Sequence, residues 1–197
     1  MSWPNTIARL REHLTVLRSI FDTGVVDFSG EELSARPGWP VRVAGGTPVP
    51  VYVAAMGPKA LQVTGELADG TLPYLAGPRT IAEFIEPAIA KSAADAGRQK
   101  PRIIAQVPAI VSEDVYAAKN FAAEQLHFYE AIPSYQRVIA REGVASAANL
   151  AALGSTESVR RQLQSYLDAG ATDVVLSGLT WTDNGAAEEL WALAASV

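Results

Sequence analysis

Apolar residues recur at helical spacing from the start of the chain. Ile7, Leu10, Leu14, Leu17 and Phe21 are separated by Arg9, Arg11, Glu12 and Arg18. This pattern predicts an amphipathic helix stopped at Gly24. Residues 25–30 are short, β-favouring and glycine-bounded, and with residues 41–43 they predict an irregular hairpin around Arg36-Pro37-Gly38. From residue 48 the pattern changes to strand–helix alternation. Residues 50–55 form a continuous apolar run, as expected of a parallel strand buried on both faces. Gly57-Pro58 then opens a helix with Leu61, Thr64, Leu67 and Ala68 on one face, since proline suits the first helical position. Residues 71–75 predict a second strand, and Gly77-Pro78-Arg79 repeats the helix-start signal before Ile81, Ile85, Ile89 and Ala93, with a kink at Pro87. Residues 102–111 and 172–177 predict two further strands. Between them lie a long helical stretch at 113–142 interrupted by Pro133, and a helix capped by Ser155 or Thr156 with Val159, Leu163, Tyr166 and Leu167 inward. Ser112-Glu113-Asp114 reads as a cap with first-turn acids, and residues 185–196 predict a last helix.

A weak repeat supports this division. Leu67-Ala68-Asp69-Gly70, Ala94-Asp95-Ala96-Gly97 and Leu167-Asp168-Ala169-Gly170 each close a helix shortly before an apolar strand, with glycine as the expected left-handed cap. Four strands alternating with helices predict an α/β fold with a parallel sheet and right-handed crossovers, in one domain over residues 1–197. Residues 1–47 are the helix-and-hairpin lead-in, and residues 48–197 carry the βα units.

Composition narrows the function. Of 197 residues, 49 % are hydrophobic, which excludes global disorder, and a net charge of −5 without a Lys/Arg block argues against nucleic acid as a partner. No apolar run is long enough for a membrane span, and no basic segment leads into an apolar one near residue 1, so a cytoplasmic location is expected. The absence of cysteine removes disulfides and thiol catalysis.

The sharpest local feature is the segment from Ala54 to Leu61. A strand end passes through Ala55 and Gly57 into a helix start whose unpaired N–H groups and dipole suit an anion such as phosphate. Pro58 has no N–H, so Lys59, Ala60 and Gly57 are the donors, and the Lys59 side chain adds a charge at the rim. The same residues also read as an ordinary βα turn. Gly77-Pro78-Arg79 has the same form and the same two readings, with Arg79 facing an anionic group of a ligand in one of them. His13 reads as solvated, and His127 as packing among aromatics or touching a ligand. Trp181 sits in a loop that faces a ligand or packs on the last helix. No metal-ligand spacing and no nucleophile motif occurs, so the catalytic residues are unknown, and an organic cofactor is expected to supply the hard chemistry.

In order along the chain, the segments at 9–18, 26–30, 50–61 and 65–70, Phe128-Tyr129, Pro133-Ser134-Tyr135, Arg141-Glu142-Gly143 and 168–173 resemble the bacterial luciferase-like monooxygenase superfamily. The resemblance is closest to the actinobacterial branch that uses the deazaflavin coenzyme F420. It implies a partial (β/α)8 TIM barrel of about four C-terminal βα units, since a complete barrel takes about 250 residues. It also implies that Ala55, Gly57, Pro58, Lys59 and Ala60 approach the phosphate-bearing tail of F420, or of FMN as the alternative. Tyr74 and Leu75, with Pro73, are then closer to the side chain or ring of the cofactor, and the region 128–135 faces a small-molecule substrate. Three functions follow: a cofactor-dependent oxidoreductase, a binding module without turnover, and an assembly role. The open edges of a half-barrel predict a homodimer or higher homo-oligomer.

Overall fold

The computed structural model describes residues 4–42, 45–47, 49–179 and 184–195, the side chains of 184–187 excepted. Its helices are α1 (Thr6–Thr23), α2 (Pro58–Leu67), α3 (Pro78–Thr80), α4 (Glu86–Asp95), α5 (Val115–Glu130), α6 (Pro133–Glu142), α7 (Thr156–Asp168) and α8 (Asn184–Ala194). Its strands are β1 (Phe28–Ser29), β2 (Ser34–Ala35), β3 (Tyr52–Val53), β4 (Gly70–Thr71), β5 (Arg102–Val111), β6 (Ala152–Gly154) and β7 (Asp173–Gly178). The chain divides into two units, Met1–Thr71 with Ala88–Pro101 and Leu72–Pro87 with Arg102–Val197.

In the first unit, α1 ends at Gly24 as its apolar spacing predicts, with the Gly24 N–H bonded to Ile20 O at 2.8 Å. Leu14, Val63 and Ala68 form a buried core joined by Ile7, Leu10, Val51 and Val53. A close approach of two helices shapes this unit: a Cβ on Gly65 would lie 2.7 Å from Ile89 O and from Ser92 Cβ, so only glycine lets α2 meet α4 here. Each Leu or Ile side chain withdrawn from water stabilises the fold by about 1.5–3 kcal/mol, and Leu61 and Ile89 are both wholly buried.

The hairpin is present, but its partner differs from the prediction. β1 pairs antiparallel with β2, Phe28 opposite Ala35, and residues 30–33 make the turn. The cause is tertiary. The Glu12 carboxylate accepts the backbone N–H groups of Glu31, Glu32 and Leu33 at 2.8, 2.9 and 2.8 Å and holds the turn from α1. Val41 instead bonds Gly24 O at 2.8 Å, and residue 43 lies outside the described residues.

β3 and β4 pair in parallel, Tyr52 opposite Gly70 and Val53 opposite Thr71. β3 is shorter than the apolar run suggests and half-buried rather than covered on both faces. The Ala55 N–H turns back to Val53 O at 2.7 Å and ends the ladder. α2 also closes differently. Ala68 caps it in extended conformation and Gly70 enters β4, while Gly97 and Gly170 do take the left-handed conformation. Asp69 explains the difference. Its N–H bonds Val51 O at 2.8 Å and its carboxylate accepts Val51 N–H at 2.7 Å, drawing the chain straight into the ladder. The same carboxylate holds Arg18 at 2.5 Å and Arg98 at 3.3 Å.

In the second unit, β5 occupies the predicted residues and pairs in parallel with β7 over 104–109 and with β6 over 109–111. β6 is a strand that the hydrophobic pattern does not predict. The Gln162 amide covers its backbone, accepting Leu153 N–H at 3.3 Å and donating to Leu153 O at 2.9 Å. Leu75, Ile110, Ala118, Ala122, Leu126 and Leu150 build the core between β5 and α5. Ile81 and Ile85 are buried as predicted, on a π-helical turn, Ile81–Ile85, in which the Glu86 N–H reaches Ile81 O. The wide turn accommodates Pro87, which has no N–H for the carbonyl four residues back. Asp114, not Ser112, caps α5, accepting the Ala117 N–H at 2.9 Å, and no acid stands in its first turn. Ser155 caps α7.

Candidate functional site

The predicted site residues fall into two groups, one in each unit. Ala55, Gly57, Pro58, Lys59 and Ala60 belong to the first, and Tyr74 and Leu75 to the second.

The first group is built on the passage from β3 into α2. Thr71, wholly buried, fixes its base. The Thr71 hydroxyl lies 2.9 Å from both Val53 O and Ala55 O, donating to one at a time, and accepts the Ala55 N–H at 3.3 Å. The chain then emerges through Gly57, which caps α2 at φ −101° and ψ 154°, with Pro58 in the first turn and no side chain bonded to the cap. Leu61 is the first residue to close the helix, its N–H bonding Gly57 O at 2.9 Å. That leaves the N–H groups of Lys59 and Ala60 pointing out of the helix end, where the dipole favours negative charge. A Cβ on Gly57 would meet nothing within 4 Å, and its backbone angles are open to any residue. Neither crowding nor conformation therefore demands glycine here, and the space above the helix end is open. Lys59 is exposed, and among the described residues no carboxylate pairs with it.

The second Gly-Pro helix start is filled by the protein itself. The Glu142 carboxylate, from the end of α6, accepts the Arg79 N–H at 3.1 Å, the Thr80 N–H at 2.8 Å and the Thr80 hydroxyl at 2.7 Å. It occupies the place of a side chain on Gly77, whose Cβ would lie 2.3 Å from the Glu142 Cδ. Arg79 turns to Glu83 at 3.0 Å. The reading of Gly77-Pro78-Arg79 as a ligand-facing anion site is thus corrected: its anion is Glu142. A signal for this existed in the sequence. A glutamate in the last turn of a helix opposes the dipole of that helix, so Glu142 needed a partner elsewhere.

In the second unit, Tyr74 forms a parallel bridge with Gln106, and Gln106 N–H bonds Pro73 O at 3.0 Å. The next residue, Leu75, has φ 56° and is fully buried in the core. Tyr74 meets Tyr129 and Tyr135 edge to face, at 5.2 and 6.4 Å between ring centroids, and those two meet at 4.8 Å. Burial and the two neighbouring phenols push the Tyr74 hydroxyl up to about 12. Burial and Tyr129 raise Tyr135 as well. The sequence singles out Tyr74 but does not join it to Tyr129 and Tyr135, which lie more than fifty positions further along the chain.

His13 donates its Nδ1–H to Arg9 O, 2.8 Å away, on the exposed side of α1. His127 is exposed and stands 3.6 Å from Glu130. Trp181 lies outside the described residues. Among the described residues no group of three His, Asp or Glu is placed to hold a metal ion, and no helix is long and apolar enough to cross a membrane.

Comparison with known proteins extends these observations. The profile of the luciferase-like monooxygenase family matches residues 1–173. The F420-dependent glucose-6-phosphate dehydrogenase of Nocardia farcinica is 27 % identical over 195 residues, covering 88 % of this chain and 56 % of that protein. Among solved structures, an F420-dependent secondary alcohol dehydrogenase in complex with an F420–acetone adduct superposes with a TM-score of 0.69 at 18 % identity, over 90 % of this chain and 58 % of that one. The oxygenating constituent of 3,6-diketocamphane monooxygenase from Pseudomonas putida, in complex with FMN, superposes at 0.61 and 14 % identity, over 91 % and 58 %. These two likenesses are of fold. The chain spans about half the length of the curated relatives it matches. With more than four-fifths of its length inside the family profile, and with β3 paired in parallel with β4 and β5 with β6 and β7, the chain belongs to the luciferase-like monooxygenase family.

Proposed function

We propose that this chain carries the part of an F420-dependent oxidoreductase that holds the cofactor tail, in an enzyme that transfers hydride to or from a small organic substrate, with FMN as the alternative cofactor. The observation that carries the reading is the start of α2. Its outward N–H groups at Lys59 and Ala60 receive no side-chain cap, and its glycine leaves open space that the fold does not need. A phosphate fits this donor set in charge. The equivalent start of α3 is closed by Glu142, whereas no side chain closes the start of α2. F420, when bound, supplies the hydride-accepting ring. The residues of this chain bind and orient: Thr71 holds the strand end rigid, Gly57 admits the phosphate, the N–H groups of Lys59 and Ala60 receive it, and the Lys59 ammonium adds attraction at the rim.

Equilibrium titration with F420 and with FMN tests the reading. Saturable binding of F420, tighter than FMN, supports it, and absence of binding by either refutes it. Self-association is part of the same proposal. Val175 and Trp191, 43 % and 58 % exposed, border an apolar groove of about 370 Å³ beside β7 and α8, and patches of this kind mark contact surfaces. Sedimentation at micromolar concentration should give a homodimer or larger species. A monomer would contradict that part.

A further inference from the structure

We draw no further inference here: the strongest candidate, the exposed apolar patch of Val25 and Trp39 beside Pro37 and Pro40 in the first unit, carries nothing, because nothing in the structure shows what covers it.

Discussion

Replacing Glu142 by alanine removes one carboxylate and three of its partners at once. The Arg79 N–H, the Thr80 N–H and the Thr80 hydroxyl all lose their acceptor. Bonds to a charged acceptor contribute about 1.5–3 kcal/mol each, but three bonds to one group do not add. Thr80 is 2 % exposed, so water replaces the acceptor only in part, whereas the Arg79 N–H is at the surface and is rehydrated. The favourable charge at the start of α3 is lost too, about 0.3–1 kcal/mol. Together these give about 3 kcal/mol, or a fall in Tm of roughly 6–12 °C for a chain of this size. Gly77→Ala places a methyl group 2.3 Å from the Glu142 Cδ and should cost about 2 kcal/mol through forced displacement. In the Glu142→Ala background that methyl group has room, so its cost should drop below about 0.5 kcal/mol. Urea unfolding of the wild type, both single variants and the double variant gives the coupling, with m unchanged throughout. Additive costs, or a Glu142→Ala effect within about 0.5 kcal/mol, would refute the reasoning that Glu142 is the built-in anion of this helix start.

Three further outcomes follow from the structure. Asp69→Ala should cost about 2–3 kcal/mol, because it takes a carboxylate partner from both Arg18 and Arg98 and frees the Val51 N–H; Asp69→Asn, which can still accept from Val51, should cost less by thermal unfolding, and an equal loss would contradict this. Thr71→Val, nearly the same in shape, should cost about 1–2 kcal/mol and weaken F420 binding several-fold by loosening the strand end at Ala55, with Thr71→Ser restoring both; unchanged binding would separate Thr71 from the site. At alkaline pH the folded state keeps protons on Tyr74, Tyr135 and Tyr166 that the unfolded chain releases near pH 10. Their contribution is therefore complete below pH 10 and is lost as pH rises, for Tyr74 through about 12. Denaturant midpoints should fall across that window, and less so in Tyr74→Phe; a flat profile would contradict the shifts.

Where residues speak to near neighbours, the fold was readable before any coordinates. The spacing of Leu10, Leu14 and Leu17 predicts α1, the apolar run at 102–111 predicts β5, and Gly57-Pro58 predicts the start of α2, all as observed. Long-range partners decide the rest. The hairpin turn is set by Glu12, some twenty residues earlier, and the end of α2 by Asp69 bonding back to Val51. β6 has three residues, none β-branched, and its signal is too short to stand out; Gln162 from the following helix secures it. The candidate site divides in the same way. The donors at Lys59 and Ala60 follow from a local rule about helix ends, whereas Thr71 beneath them, Glu142 at the competing site, and Tyr129 and Tyr135 around Tyr74 are joined only by the folded chain.

The central claim is that the start of α2 receives the phosphate of F420, and charge reversal at Lys59 tests it most directly. Lys59 is exposed, so Lys59→Glu should leave stability within about 0.5 kcal/mol of the wild type. Lys119→Glu, on the exposed side of α5, controls for the change in net charge. By fluorescence titration with F420, the account predicts binding about 10–100-fold weaker for Lys59→Glu and unchanged for Lys119→Glu. Equal affinity in all three proteins would contradict it.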